Sequence, residues 1–196
     1  MAGDLARLRE RPDDSVGIDL HKPTLERNRT LRRCLVADAC DMPFEDACFD
    51  LITANMVAEH LADPRAVMRE AARVLKPGGR MLFHTPNRRS LMALMACRMS
   101  DGLTARLASL LEGRSCESVF PTCYRLNDAS TISKRAREAG LTLDRCAYLQ
   151  DVPTSIALGP LVIFELLWIR ATRWSRLEPL RDNLLVELVK PETNVR

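Results

Sequence analysis

The chain has 196 residues, 46% hydrophobic and 28% charged, enough apolar material for one globular domain with its own core. Its net charge of +3 comes from scattered arginines and lysines rather than a cluster, so no nucleic-acid partner is expected. The seven cysteines (Cys34, Cys40, Cys48, Cys97, Cys116, Cys123 and Cys146) are odd in number and none has C-x-x-C spacing. That excludes a zinc knuckle or a secreted disulfide framework and points to small buried apolar side chains in a reducing compartment.

The start, Met1-Ala2-Gly3-Asp4, has neither the basic nor the apolar region of a signal peptide, so a cytoplasmic location is expected. Residues 4–11 read as a helix stub, broken by Pro12-Asp13-Asp14. Residues 15–20 are a short apolar run closed by Asp19. Residues 23–29 suit a helix with proline at an early position, where its missing N–H does no harm. Residues 34–38 are a second apolar run ending in Asp38, and 49–55 a third ending in Asn55. Asp63-Pro64 caps a helix whose Ala66, Val67, Ala71, Val74 and Leu75 recur at helical spacing. Lys76-Pro77-Gly78-Gly79 is predicted to stop it, and 80–85 to form a fourth strand.

Strands of about five residues alternating with helices of about ten predict βαβ units and a parallel sheet. Nearly unbroken apolar strands fit a sheet covered on both faces. Asp19, Asp38, Asn55 and Pro86-Asn87 all fall at strand C-termini, the edge at which open α/β sheets bind ligands.

The pattern then changes. Residues 88–127 carry helical stretches (91–99 and 103–111) and no strand, as a cap over the strand ends would. Residues 128–139 are a helix ended by Gly140, and 141–149 a fifth strand. A second helical insertion runs over 154–176, and 183–189 is the last strand, stopped by Pro191. The most apolar stretch, 156–169, contains Pro160 and Glu165 and falls short of the roughly 20 residues of a membrane span. Residues 156–174 are instead expected to cap the sheet, or to lie on a membrane as an interfacial helix followed by Arg170, Arg173 and Arg176.

Three pieces in this order resemble the class I S-adenosylmethionine-dependent methyltransferases, most of all the ubiquinone- and menaquinone-pathway group. They are Val16-Gly17-Ile18-Asp19, then Ala37-Asp38-Ala39-Cys40-Asp41-Met42-Pro43-Phe44, then Phe49-Asp50-Leu51-Ile52 through Glu59-His60-Leu61 to Leu75-Lys76-Pro77-Gly78-Gly79. The resemblance runs from about Gly3 to the end. It implies a Rossmann-like α/β fold: a mostly parallel sheet with helices on both faces and a closing antiparallel strand pair at 141–149 and 183–189. One domain over 1–196 is expected. It has a cofactor-binding half at 1–87, helical caps at 88–127 and 154–178, and the end of the core sheet at 128–153 and 179–196.

The resemblance also implies roles. Asp19, with Leu20 beside it, corresponds to the acid that accepts hydrogen bonds from the ribose hydroxyls of S-adenosyl-L-methionine, and a carboxylate suits a vicinal diol. Asp38 corresponds to the acid reaching the adenine amino group, with Ala39 giving a backbone contact. Asn55 and Met56 sit where the family lines the methyl-donor pocket. His60 is the candidate proton acceptor, and Asn87 and Tyr124 are candidate substrate contacts. No metal is expected. The acceptor would be a small or lipid-like molecule.

The family begins with a strand leading into a loop of the GxGxG kind. None of the eight glycines here forms GxG, and Gly3 aligns with the last loop glycine, so the first strand and most of that loop are expected to be missing. The strand would lie between those ending at Asp19 and Asn55. Its absence would leave two unpaired edges, unless those two strands close up. The alternative to an enzyme is therefore a non-enzymatic remnant or binding module that keeps the scaffold but not the cofactor.

Overall fold

The computed structural model describes residues 15–29, 31–90, 93, 123–150 and 161–192. The helix expected at 4–11, Gly3, the cap helices at 91–99 and 103–111, Cys97, Cys116 and the first part of the second insertion lie outside these residues, wholly or nearly so.

The chain enters as a small βαβ unit. Strand β1 (Val16–Asp19) leads through helix α1 (Lys22–Arg27) to strand β2 (Arg33–Val36). The strands are parallel, with Asp19 opposite Val36. One further hydrogen bond, Ala37 N–H to the Asp19 carbonyl at 3.3 Å, extends the pairing past β2. Proline in the first turn starts α1 where no intrahelical donor is lost.

The second unit is larger. Strand β3 (Phe49–Asn55) passes through helix α2 (Pro64–Val74) to strand β4 (Leu75–Pro86), parallel to it. The expected cap is present: the Asp63 carboxylate accepts from the N–H groups of Arg65 and Ala66. Helix α3 (Ala129–Glu138), capped by Asp128, leads through Gly140, at φ +82°, into strand β5 (Thr142–Leu149). Helix α4 (Leu161–Ala171) precedes the last strand, β6 (Asn183–Val189). The sheet order is β3-β4-β6-β5, with β6 antiparallel to both neighbours, which is the closing pair expected.

The Leu-Lys-Pro-Gly-Gly segment departs from expectation. It is a bulge inside a twelve-residue strand, not a turn before one. Phe49 faces Leu75 and Leu51 faces Arg80, so Lys76 to Gly79 all stand opposite Asp50 alone. Lys76 closes the bulge with an ion pair to Asp50 at 2.8 Å. Gly78 has φ +79°, and a Cβ on Gly79 would lie 2.8 Å from the Lys76 carbonyl oxygen, so both positions exclude ordinary side chains.

The core lies between the larger sheet and the pair α2 and α3. Phe83, Met68, Leu75, Ile132, Leu141, Leu184, Val186 and Leu188 are all nearly or wholly buried there. α2 contributes Val67, Met68, Ala71 and Val74, and α3 contributes Ile132 and Ala136, at the spacings of one helix face.

The sheet is divided in two, with the unpaired edges that a missing first strand would leave: among the described residues β1 pairs only with β2 and β3 only with β4. The two strands have not closed up on each other. Leu51 on β3 is 55% exposed and Val36 on β2 is 57% exposed, which a sheet covered on both faces would not allow. The cysteines, expected to be buried, are not fully so among the described residues: Cys34, Cys40 and Cys146 are half-buried thiols, and Cys48 and Cys123 are exposed. Cys40, Cys48 and Cys123 occupy loops and Cys34 the small sheet, where a small side chain gains little from burial, whereas Cys146 on β5 packs against the margin of the core.

Candidate functional site

The C-terminal edge of the β1–β2 sheet gathers the first group of candidate residues. Asp19 ends β1, half-buried, and its Oδ1 accepts the His21 N–H at 2.8 Å. Asp38 lies two residues past the end of β2, and its Oδ1 accepts the Cys40 N–H, also at 2.8 Å. Each carboxylate thus uses one oxygen to fold its own turn. An ionised carboxylate has about four lone-pair sites, so this leaves capacity for hydroxyl or amino donors. The register sets Asp19 and Asp38 on one edge, with exposed Leu20 and half-buried Ala39 beside them. Burial pushes the Cys40 thiol up from its ordinary range, with Asp38 adding to the shift, so Cys40 is a poor nucleophile.

The C-terminal edge of β3 and β4 gathers the second group. Asn55 Oδ1 lies 2.9 Å from His84 Nδ1 on the neighbouring strand. Met56 follows in the left-handed region at φ +53°, its N–H donating to the His84 carbonyl at 2.9 Å and its side chain 42% exposed. A methionine held at positive φ is a strained position.

Next comes the short 3-10 turn Ala58–His60. Glu59 is 3% exposed, and the Thr85 hydroxyl donates to its Oε2 at 3.2 Å. Asn127 Nδ2 donates to Thr85 Oγ1 at 2.7 Å and to the Pro86 carbonyl at 2.9 Å. The Glu59 carbonyl accepts from the N–H groups of Cys123 (2.6 Å) and Tyr124 (3.1 Å). Tyr124 is itself held at φ +47°. Residues 123–127 are thereby strapped across the ends of β3 and β4. His60 is half-buried, its Nε2 3.8 Å from Glu59 Oε1.

The structure does not give Asn87 the substrate contact expected of it. Asn87 is fully buried, its amide donating to the carbonyls of Pro179 (2.9 Å) and Arg181 (2.7 Å) while its Oδ1 accepts the Arg89 N–H. All of that capacity holds the β4 exit against the loop before β6. Glu59, Thr85 and Asn127 were missed by sequence reasoning. The adjacent Glu59-His60 drew attention to the histidine, and no periodicity reveals a buried carboxylate in a 3-10 turn. Among the described residues no three His, Cys, Asp or Glu side chains group as a metal site would require.

Residues 2–83 match the family model described as a methyltransferase domain. A methyltransferase solved in complex with the Haloferax volcanii Trm112 activator superposes on 92% of this chain and 73% of its own, with a TM-score of 0.58 at 18% identity. An S-adenosylmethionine-dependent methyltransferase from Thermotoga maritima superposes on 90% and 72%, with a TM-score of 0.56 at 18% identity.

Residues 2–83 thus carry the pattern of a methyltransferase domain, and the chain shares the fold of these methyltransferases.

Similarity to individual methyltransferases is local. Tocopherol O-methyltransferase of Arabidopsis thaliana is 45% identical over 58 residues, 30% of this chain and 17% of that protein. The demethylmenaquinone methyltransferase of Clavibacter sepedonicus is 45% identical over 53 residues, 26% of this chain and 22% of its own. The ubiquinone biosynthesis O-methyltransferase of Idiomarina loihiensis is 32% identical over 89 residues, 41% and 37%. The chain therefore matches less than two fifths of the length of each of these three proteins.

Proposed function

We propose that the chain takes part in methyl transfer from S-adenosylmethionine to a small or lipid-like acceptor. The observation that carries this reading is the pair Asp19 and Asp38 on one edge of two paired strands, each with carboxylate capacity beyond its own turn. The donor set fits the group: acceptor-only oxygens for ribose hydroxyls at Asp19 and for an adenine amino group at Asp38, with Leu20 and Ala39 alongside. Asn55 and Met56 would line the sulfonium end, and the bound cofactor would supply an electrophilic methyl. The protein's own work is then to align the acceptor and remove a proton. His60 is the side chain best suited to that proton, since it stands in the loop after β3, with its Nε2 3.8 Å from Glu59 Oε1.

The position between β1 and β3 holds no described strand, and it is where the family's first strand and glycine loop would run. Isothermal calorimetry with S-adenosylmethionine, on this chain and on one extended upstream of Met1, tests the reading. Saturable binding by at least the extended chain is expected. Asp19→Ala should weaken it at least about tenfold, the worth of one hydrogen bond to a charged group. Binding by neither chain, or binding indifferent to Asp19→Ala, would leave the remnant reading in its place.

A second reading concerns where the acceptor comes from. No helix among the described residues is long and apolar enough to cross a membrane. Yet α4 turns Ile163, Phe164, Leu166 and Leu167 outward at 49–72% exposure, with Trp174 at 73% and exposed Arg170, Arg173 and Arg176 following. Apolar positions at i, i+1, i+3 and i+4 make one helix face, and arginines with a tryptophan at its end suit an anionic lipid surface. Co-sedimentation with vesicles containing phosphatidylglycerol is expected, and Phe164→Asp should abolish it. Wild-type protein that stays in the supernatant removes this reading.

A further inference from the structure

The segment strapped down by Glu59 forms one wall of a cleft of about 750 Å3, and that cleft is rich in arginine. Arg65 comes from the first turn of α2, Arg88 from the exit of β4, Arg125 from the strapped segment and Arg135 from α3. Three carboxylates stand near these four guanidinium groups among the described residues, and each is already committed. Asp128, whose charge Arg88 favours, caps α3 through the Thr131 N–H and accepts from the Ser130 hydroxyl. Asp63 caps α2 through the N–H groups of Arg65 and Ala66. Glu138 serves two arginines at once, Arg135 at 2.7 Å and Arg65 at 3.6 Å. No ion pair joins Arg88 or Arg125 to a described acidic side chain within 4.0 Å. Arg125 donates to the Ala62 carbonyl, at 2.6 Å, which pins it to the wall of the cleft.

Four positive charges, on Arg65, Arg88, Arg125 and Arg135, stand against those of Asp63, Glu138 and the nearby Asp128, which leaves an excess of one. Like charges gathered on four different elements repel one another, so the fold holds them together at a cost. The fork of donors on each guanidinium matches phosphate oxygens in pairs. The backbone at Tyr124, in the left-handed region at φ +47°, is fixed in place by its N–H to the Glu59 carbonyl, and Tyr124 and Arg125 line the same cleft. Strain retained beside converging charges is a mark of a built site rather than of a solvated face.

We infer that this cleft is a binding site for a phosphate-type dianion, held by Arg88 and Arg125 with Arg65 and Arg135 completing the charge. The cleft opens at the C-terminal ends of β3 and β4, on the acceptor side of the proposed cofactor edge. It rests on the proposed function only in taking the dianion for part of the acceptor; binding itself needs no cofactor.

The test is a titration with pyrophosphate, without S-adenosylmethionine, followed by calorimetry at low salt. Saturable binding is expected, weakened at least about tenfold by Arg88→Ala with Arg125→Ala, the worth of one charge-assisted hydrogen bond. Arg88→Glu alone, which reverses an attraction to Asp128 but breaks no side-chain hydrogen bond or close ion pair among the described residues, should do the same, while Arg88→Lys should retain part of the affinity. Far-ultraviolet circular dichroism and the thermal midpoint should stay as in wild type. Vesicles of phosphatidylcholine with and without phosphatidic acid then identify the source. Recruitment that needs phosphatidic acid and is lost in the double variant places the dianion on a lipid. Pyrophosphate binding without such recruitment places it on a soluble ligand. No saturable binding, or equal binding by wild type and both variants, overturns the site. These outcomes are independent of whether the chain binds S-adenosylmethionine.

Discussion

Phe83→Ala is expected to cost about 3–5 kcal/mol of folding stability, the usual range for emptying a buried aromatic site. Phe83 is 1% exposed, in the middle of β4, with Ala54 opposite on one side and Val186 on the other. It belongs to the cluster that also holds Met68, Ile132 and Leu184, so its ring stands where the sheet meets α2 and α3. The surrounding side chains come from four elements and cannot all move inward to fill the space. Total stabilities of domains are about 5–15 kcal/mol, so the variant would sit near the unfolding threshold. Urea unfolding followed by tryptophan fluorescence and circular dichroism measures it. A loss below about 1 kcal/mol at unchanged slope would show that the larger sheet is not the cooperative core. Leu51→Ala makes the contrast. Leu51 is 55% exposed on the edge strand β3 and should cost far less.

The elements of this fold were legible where a short-range signal was strong. The run Phe49–Asn55 and the run Asn183–Val189 form strands with the bounds expected from sequence. Their apolar character and the polar or proline residues that stop them are local facts. Asp63 caps the helix it precedes for the same reason, since the cap is a contact over two or three residues, and Asp128, expected as the first residue of its helix, turns out to cap it in the same way. Gly78-Gly79 was legible as a break but not as a bulge. Whether glycines turn a chain or widen a strand depends on what the neighbouring strand and Lys190 offer, and Lys190 is more than a hundred residues away. The division of the sheet followed from family resemblance rather than from pattern, because nothing in β1 or β3 taken alone says which edge lacks a partner.

The candidate site divides along the same line. Asp19 and Asp38 could be placed because each ends an apolar run, and strand ends in parallel sheets share an edge. Tyr124 falls on the arginine cleft, but the cleft itself could not be seen. Its arginines are spread over positions 65, 88, 125 and 135, and in sequence they look like scattered surface charge. Asn87 was misjudged because a polar residue at a strand end can turn inward as easily as outward. Here the carbonyls of Pro179 and Arg181 take it inward.

Thr85→Val is expected to destabilise the protein by about 2–4 kcal/mol although it changes almost no volume. Thr85 is fully buried, and its hydroxyl both donates to the Glu59 carboxylate and accepts from the Asn127 amide. Valine keeps the shape and removes both functions. Asn127 retains the Pro86 carbonyl, so the heavier loss falls on Glu59, 3% exposed and deprived of a donor. An unsatisfied buried polar group costs about 1–3 kcal/mol, and more when charged. Thr85→Ser keeps the hydroxyl and should recover most of the loss. A double-mutant cycle of Thr85→Val with Asn127→Ala should be non-additive by at least about 0.5 kcal/mol, because the two side chains share one network. The same network should govern the strap. With Glu59 loosened, the amides of Cys123 and Tyr124, which donate to its carbonyl, should exchange hydrogen faster than in wild type while amides at the centre of β6 change only with global stability. Additive energies within about 0.3 kcal/mol and unchanged exchange at 123 and 124 would show that Glu59 is buried only to fill space. The expected pattern instead makes Thr85 the hinge pin of the acceptor side. It ties the end of β4 to the turn that carries His60 and to the segment that carries Tyr124 and Arg125. The proton acceptor proposed for methyl transfer and the wall of the arginine cleft are then positioned by a single buried hydroxyl.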